Sequence, residues 1–184
     1  MATALPEPQL WTIGHSTKRI EDFLALLRSH RIQRLVDVRT IPRSRHNPQY
    51  DTEELAAHLK EVKLTYLHMP QLGGLRKARK DSVNIGWKNA SFRGYADYMQ
   101  SEQFQRALEQ LMAESRERPT AVMCAEAVPW RCHRSLIADA LFIRGWAVRH
   151  IMTKTKPDTY RLTRFAVVEA DRITYPSVSF SAES

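Results

Sequence analysis

Residues 10–39 read LWTIGHSTKRIEDFLALLRSHRIQRLVDVR, and three patterns succeed one another in them. Leu10-Trp11-Thr12-Ile13-Gly14 is a short apolar run closed by a glycine, the pattern of a strand. Ile20, Phe23, Leu24 and Leu27 then recur at helical spacing, which predicts an amphipathic helix over Lys18 to His30. Arg34-Leu35-Val36-Asp37-Val38-Arg39 is continuously apolar in its middle, as a parallel strand covered on both faces must be. Strand, helix and strand within roughly thirty residues make a βαβ unit with a right-handed crossover.

The same alternation continues. Asp51 with Glu54 three places on has the form of a capping box and opens a helix through Val62. Leu64 to Met69 is a third strand, ended by Pro70. Tyr95 to Met99 is a short helix, and Ser101 caps another whose buried face is Phe104, Leu108, Leu111 and Met112. Ala121 to Cys124 is a fourth strand. A helical pattern restarts at Trp130, with Pro129 suited to its first position and Gly145 to its C-terminal cap. Ala147 to Met152 is a fifth strand. Phe165–Glu169 and Arg172–Tyr175 flank Ala170-Asp171 as a small hairpin. The expected fold is α/β: a three-layer sandwich with a mostly parallel five-stranded sheet flanked by helices, plus a C-terminal hairpin. Residues 10–176 are expected to form one domain between flexible tails at 1–9 and 177–184.

The chain has 184 residues, 43% hydrophobic and 26% charged, ordinary for a globular protein with a sizeable core. No stretch approaches the roughly 18–20 apolar residues of a membrane span. Met1 to Gln9 has neither a basic nor an apolar segment of the secretory kind, so a cytoplasmic location and free thiols at the two cysteines are expected. No membrane partner is expected. The formal net charge of +8 favours an anionic partner, a nucleotide-like or phosphorylated small molecule first and nucleic acid second. The nucleic-acid alternative rests on the loop and helix of residues 76–95, where Trp87, Phe92 and Tyr95 interleave with Arg76, Lys77, Arg79, Lys80, Lys88 and Arg93. A solvated basic loop pinned by Trp87 is the plainer reading.

In sheets of this kind ligands bind beyond the carboxyl ends of the strands. Those ends deliver His15 and Ser16, then Asp37 and Arg39 with Arg43 on the loop after them. Further on come Gly73 and Gly74, and last Cys124, Glu126, Cys132, His133 and Arg134. Cys132 is expected in the first turn of a helix, beside cations, where a thiol ionises readily. It is the candidate nucleophile, with Glu126, His133, His15 and Asp37 as acids or bases and His15 and His133 as proton shuttles near neutral pH. Asp37 with Arg134, or Glu126 with Arg39, are the ion pairs that would instead make the charges structural. Ser16, Arg39, Arg43, Gly73, Gly74 and Arg134 are candidate ligand-binding residues, the glycines as a backbone cradle for an anion.

The strand–cysteine–loop–helix order is similar to that of rhodaneses and cysteine phosphatases. Their cysteine, however, is followed by an arginine six places on, and here that place holds Trp130. Adjacent Cys132 and His133 also lack the spacing of a zinc pair, so no metal is assigned and no cofactor is named; a thiol redox or metal-sensing role is the further alternative.

Thr12-Ile13-Gly14-His15-Ser16, Asp37-Val38-Arg39 with Pro42 and Ser44, Leu72-Gly73-Gly74, Phe92 with Tyr95-Ala96, and Cys124-Ala125-Glu126 with Pro129 and Cys132-His133-Arg134 resemble the domain of unknown function 488 family. The resemblance spans roughly Trp11 to Ile151. It implies a compact bacterial-type α/β cytoplasmic protein and carries no activity, substrate or cofactor, so the enzymatic question stays open at this point.

Overall fold

The structure, a computed structural model, describes residues 7–177. Its elements run β1 (Gln9–Gly14), α1 (Ile20–Ser29), β2 (Arg34–Asp37), α2 (Thr52–Glu61), β3 (Thr65–His68), α3 (Ala90–Tyr98), α4 (Glu102–Glu117), β4 (Thr120–Cys124), α5 (Arg134–Phe142), β5 (Ala147–Ile151), β6 (Asp158–Thr159), β7 (Val167–Glu169) and β8 (Arg172–Thr174). The main sheet has the order β3-β2-β4-β1-β5-β6, with β1 to β5 parallel and β6 antiparallel to β5. The expected α/β architecture and C-terminal hairpin are present, β7 pairing with β8. The sixth strand is an addition: two exposed residues carry no hydrophobic pattern from which it could be read.

From β1 to β3 the chain moves toward one edge of the sheet, and from β3 to β5 it moves back. Right-handed crossovers then put α1 and α2 on one face and α3 to α5 on the other. The two separate apolar cores match. Phe23, Leu26 and Leu27 of α1 pack with Leu55 and Leu59 of α2 on one side; Ala96, Phe104, Leu108, Leu136, Ile137 and Leu141 pack on the other. The period of two along each strand sorts side chains between them. On β4, Ala121 and Met123 face the first core, while Val122 and Cys124 face the second.

Three local departures matter for the site. The helix expected from Trp130 begins only at Arg134. Pro129–Arg131 is instead one 3-10 turn, and Cys132 is extended at φ −137° and ψ 151°. Asp51 precedes α2, but its side chain does not cap it. Its carboxylate accepts from the Ser44 N–H at 2.7 Å and so braces the loop that carries Arg43. The helix around Tyr95 starts earlier than expected, at Ala90, because the Asn89 side chain caps it by accepting from the Ser91 and Phe92 N–H groups.

The segment after β5 is fixed through one buried carboxylate. Asp139 of α5 accepts from the Tyr160 hydroxyl, from the Tyr175 hydroxyl at 2.7 Å and from the Thr163 N–H at 2.9 Å. Burial pushes its carboxyl above the ordinary range despite these donors.

Candidate functional site

The turn after β4 lies directly on the end of β1. The His15 N–H donates to the Cys124 carbonyl at 3.1 Å and the Ser16 N–H to the Ala125 carbonyl at 2.9 Å. Gly14 permits that approach: a Cβ there would stand 1.8 Å from the Glu126 carbonyl oxygen. The turn therefore folds back over the sheet edge and returns the chain to α5, beside Cys124. A cleft of about 440 Å³ opens at this edge. His15, Arg39, Arg43, Gly74, Cys124, Glu126, Cys132 and His133 from the sequence list line it, joined by Arg131 and by Ile41, Leu75 and Phe92 at its mouth.

One half of the site is a buried ionic chain. Asp37 is fully buried and grips Arg39: Nε lies 2.9 and 3.1 Å from the two carboxylate oxygens, and Nη2 is 2.6 Å from Oδ2. Tyr66 donates its hydroxyl to Asp37 Oδ2 at 2.9 Å. Arg39 Nη2 also donates to the Tyr50 carbonyl at 2.7 Å, while His68 Nε2 donates to the Arg39 carbonyl at 2.8 Å. His15 is stacked on Tyr50 at 4.1 Å. Its Nδ1–H donates to the Ser16 carbonyl at 2.8 Å, which leaves Nε2 as an acceptor facing Arg39 Nη1 at 3.4 Å. Burial and the Arg39 charge outweigh the Ser16 hydrogen bond and bring its pKa down to about 4.

This geometry corrects the expected ion pairs. The ion pair is Asp37 with Arg39, two residues apart at one strand end, rather than Asp37 with Arg134 or Glu126 with Arg39. Asp37 spends both carboxylate oxygens on donors from Arg39 and Tyr66. Burial and the Arg39 charge disfavour the His15 imidazolium, and the acceptor nitrogen of the ring already faces a cation.

The other half is built on sulfur. Cys124 and Cys132 are both buried, with Sγ atoms 2.6 Å apart. Cys132 Sγ is 3.5 Å from His133 Nδ1 and accepts from the Arg134 N–H at 3.5 Å. Cys132 thus stands two residues ahead of α5 rather than in its first turn, yet an N–H of that helix end still points at it. His133 Nε2 is 3.3 Å from the Val38 carbonyl. A carbonyl can only accept, so Nε2 carries hydrogen, and in the neutral ring the Nδ1 lone pair faces the thiol. Burial alone would push Cys132 up, but the contacts with Cys124, His133 and Arg134 hold it well below the ordinary thiol range. Burial and the neighbouring Cys132 push Cys124 well above that range. Cys124 also lies 3.9 Å from the Glu126 carbonyl, to which its S–H can donate.

Arg134 is almost wholly buried, 1% exposed. It donates to the Glu126 carbonyl at 2.7 Å, and more weakly to the Ala127 carbonyl and the Thr12 hydroxyl, both at 3.4 Å. Its Nε has no partner and, among the described residues, it makes no ion pair with a carboxylate. It braces the turn from beneath rather than lining the cleft. Glu126 is exposed at the cleft wall. Gly74 lies against the His133 ring, where a Cβ would stand 3.0 Å from Nδ1. Gly73 has an ordinary φ of −70° and its N–H is spent on the Pro70 carbonyl, so it offers no N–H to an anion. Ser16 and Gly73 do not reach the cleft.

Two of the three aromatics of the base-stacking reading are engaged in packing. Tyr95 is buried, with its hydroxyl on the Leu72 carbonyl, and Trp87 is packed among Phe92, Phe165 and Tyr175 at 4.8 to 5.5 Å. Of the loop's cations, Arg79 is paired with Asp81 and Arg76 lies over the Tyr98 ring. Nor do three or more His, Cys, Asp or Glu side chains gather as a possible metal site among the described residues.

Sequence reasoning missed Tyr50 and Tyr66, which hold His15 and Asp37, and the apolar lip of Ile41 and Leu75. Tyr66 was legible in principle, since β3 pairs with β2 in parallel and its alternate residues must face the Asp37 side. No helix of the described residues is long and apolar enough to cross a membrane. No curated protein and no solved structure matches the chain. A family model does match, over residues 19–141, and its span takes in the Asp37–Arg39 strand end, the Gly73-Gly74 segment and the whole Cys124 to Arg134 turn. The chain belongs to the family described as Domain of unknown function DUF488.

Proposed function

We propose that the protein is a thiol-dependent enzyme acting on an anionic organic substrate in the cleft between β2, α3 and the turn after β4. The contact of Cys132 Sγ with His133 Nδ1, on a ring oriented by the Val38 carbonyl, carries this reading. Cys132 passes its proton to Nδ1, and the thiolate that results is the nucleophile. The imidazolium and the Arg134 N–H stabilise it, and helix N-termini and cationic neighbours have that effect on thiols generally. The thiolate also explains Arg134. A buried guanidinium without a carboxylate is costly, and the Cys132 sulfur is an anion that can form within its field.

The substrate's negative charge meets Arg43 and Arg131, both exposed at the cleft and free of ion pairs among the described residues. Arg39, already neutralised by Asp37, orients rather than attracts. Ile41, Leu75 and Phe92 suit an apolar portion of the same molecule. Arg43 and Arg131 can each grip a carboxylate with paired hydrogen bonds, and the Gly73 N–H, spent on the Pro70 carbonyl, adds nothing to a phosphate cradle.

The test is the alkylation rate of each thiol against pH in the native protein, resolved by peptide mass spectrometry. Cys132 is expected to react as a thiolate well below the ordinary thiol pKa of about 8.5, with Cys124 slower throughout. His133→Asn should move the Cys132 profile upward. Equal, ordinary profiles for the two thiols would remove the nucleophile and the proposal with it.

A further inference from the structure

Beyond helping His133 and Arg134 to hold the Cys132 thiolate, Cys124 has no part in the chemistry assigned so far. Yet it lies in the same cleft with its sulfur in contact with that of Cys132, and β-strand alternation points it there from the end of β4. A second thiol in contact with a nucleophilic one is useful for one class of intermediate. If Cys132 takes up an acyl or alkyl group, Cys124 gains nothing by attack. If Cys132 becomes bonded to another sulfur, Cys124 can displace that group and close a protein disulfide.

The size and charge of the cleft narrow the electrophile. A peroxide needs little room, whereas about 440 Å³ with an apolar lip and two exposed arginines suits a larger anion. Resting on the nucleophile assigned above, we propose that Cys124 is the resolving thiol of Cys132 and that the substrate is the disulfide of a carboxylate-bearing low-molecular-weight thiol. In the first step the Cys132 thiolate attacks one sulfur of RS–SR. The Cys132–S–SR bond forms, the substrate S–S bond breaks, and RS⁻ leaves and takes the proton held by His133. In the second, Cys124 loses its proton and attacks Cys132 Sγ. The Cys124–Cys132 bond forms and the second RS⁻ leaves with that proton. Two protein thiols are oxidised and one disulfide is reduced to two thiols. A dithiol reductant restores the protein by the same exchange in reverse.

The test uses the reduced full-length chain mixed with glutathione disulfide, quenched in acid and mapped by peptide mass spectrometry. The expected products are the Cys124–Cys132 disulfide in the wild type, a glutathione adduct on Cys132 in Cys124→Ser, and no adduct on Cys124 in Cys132→Ser. Cys124→Ala serves as a second resolving-site variant, and circular dichroism checks that each is folded. An adduct that persists on Cys132 in the wild type, or enters through Cys124, overturns the proposal. If Cys132 alkylates as a low-pH thiolate but no internal disulfide forms, this inference falls and the enzyme reading stands; if both thiols titrate ordinarily, both fall. Glutathione disulfide should react about tenfold or more faster than neutral bis(2-hydroxyethyl) disulfide, as charge-assisted contacts to the arginines require. The double variant Arg43→Ala/Arg131→Ala should erase that preference. Equal wild-type rates, or faster oxidation by a hydroperoxide, would overturn the substrate class.

Discussion

Replacing Asp37 by Asn removes one charge and almost no volume from a fully buried position. In the native site both carboxylate oxygens are engaged: Oδ1 accepts from the Arg39 backbone N–H at 3.0 Å and from Nε at 2.9 Å, and Oδ2 from Nη2 at 2.6 Å and the Tyr66 hydroxyl at 2.9 Å. The amide keeps one acceptor and turns the other into a donor facing donors. Arg39, 7% exposed, is left with the one amide oxygen, the Tyr50 carbonyl and the His15 ring nitrogen, and no counter-charge. Breaking one side of a buried ion pair costs about 3–5 kcal/mol. Arg39 borders the cleft and water can reach its outer edge, so the lower half of that range is expected. For a domain of this size about 3 kcal/mol lowers the melting temperature by roughly 6–12 °C. Urea unfolding at pH 7 is the assay. Asp37→Asn/Arg39→Gln should be less destabilised than Asp37→Asn alone, because the orphaned cation has gone with its partner. The single variant should also show faster alkylation of Cys132 by anionic iodoacetate relative to neutral iodoacetamide, since the site gains one positive charge. A loss under about 1 kcal/mol, or a double variant no better than the single, would refute the account of Asp37 as the counter-charge of Arg39.

Three further outcomes follow from the geometry. His15 and His150 both have pKa values brought down to about 4, burial being the main cause and Arg39 or Arg134 adding to it. The unfolded chain therefore binds these protons first, so their contribution to stability is complete above about pH 6.5 and is lost as pH falls through 4, the loss being about 2.5 kcal/mol each by pH 4.5; urea midpoints across that window should fall more steeply in the wild type than in His150→Gln. Gly74→Ala puts a Cβ 3.0 Å from His133 Nδ1; the ring must shift by a few tenths of an ångström, and the Cys132 alkylation profile should move toward higher pH while stability changes by under about 1 kcal/mol. Tyr175→Phe removes a 2.7 Å donor from buried Asp139, at a cost of about 1–3 kcal/mol in the urea midpoint; an unchanged midpoint would mean that water replaces the hydroxyl.

The elements that hydrophobic spacing controls were legible. Ile20, Phe23, Leu24 and Leu27 define α1, and the apolar runs at Leu35-Val36 and Ala121 to Met123 define the buried strands. The rule that sites lie beyond parallel strand ends then gathered His15, Arg39, Cys124 and Cys132 into one list, and all four line the cleft. Illegible were the features set by tertiary contacts. Asp51 with Glu54 has the sequence form of a capping box, but the Ser44 N–H competes for the carboxylate and wins it. Trp130 and Arg131 continue a helical pattern on paper, yet the chain must turn extended at Cys132 to bring its sulfur back to β4. Gly73-Gly74 with the cations after it suggested a cradle; the close packing of Gly73 against Thr40 and of Gly74 against His133 was not legible.

Strand alternation explains why this site has two parts. Leu35 faces the core of α1 and α2 and Val36 the core of α3 to α5, so Asp37 falls on the first side, where Tyr66 reaches it. Cys124 follows Met123 on β4 and falls on the second, where α5 brings Cys132 and His133. An ionic half and a sulfur half are thus assigned to opposite faces by parity, and they share a cleft only because β2, β4 and β1 are adjacent and end at one edge. The contacts that cross from one half to the other run through that edge: the His133 ring on the Val38 carbonyl, and the turn after β4 hydrogen-bonded to His15 and Ser16. The Asp37–Arg39 pair is therefore fixed independently of the sulfur pair. A cysteine that changes oxidation state can then do so without unfolding the ionic half, which holds the strand ends in register around it.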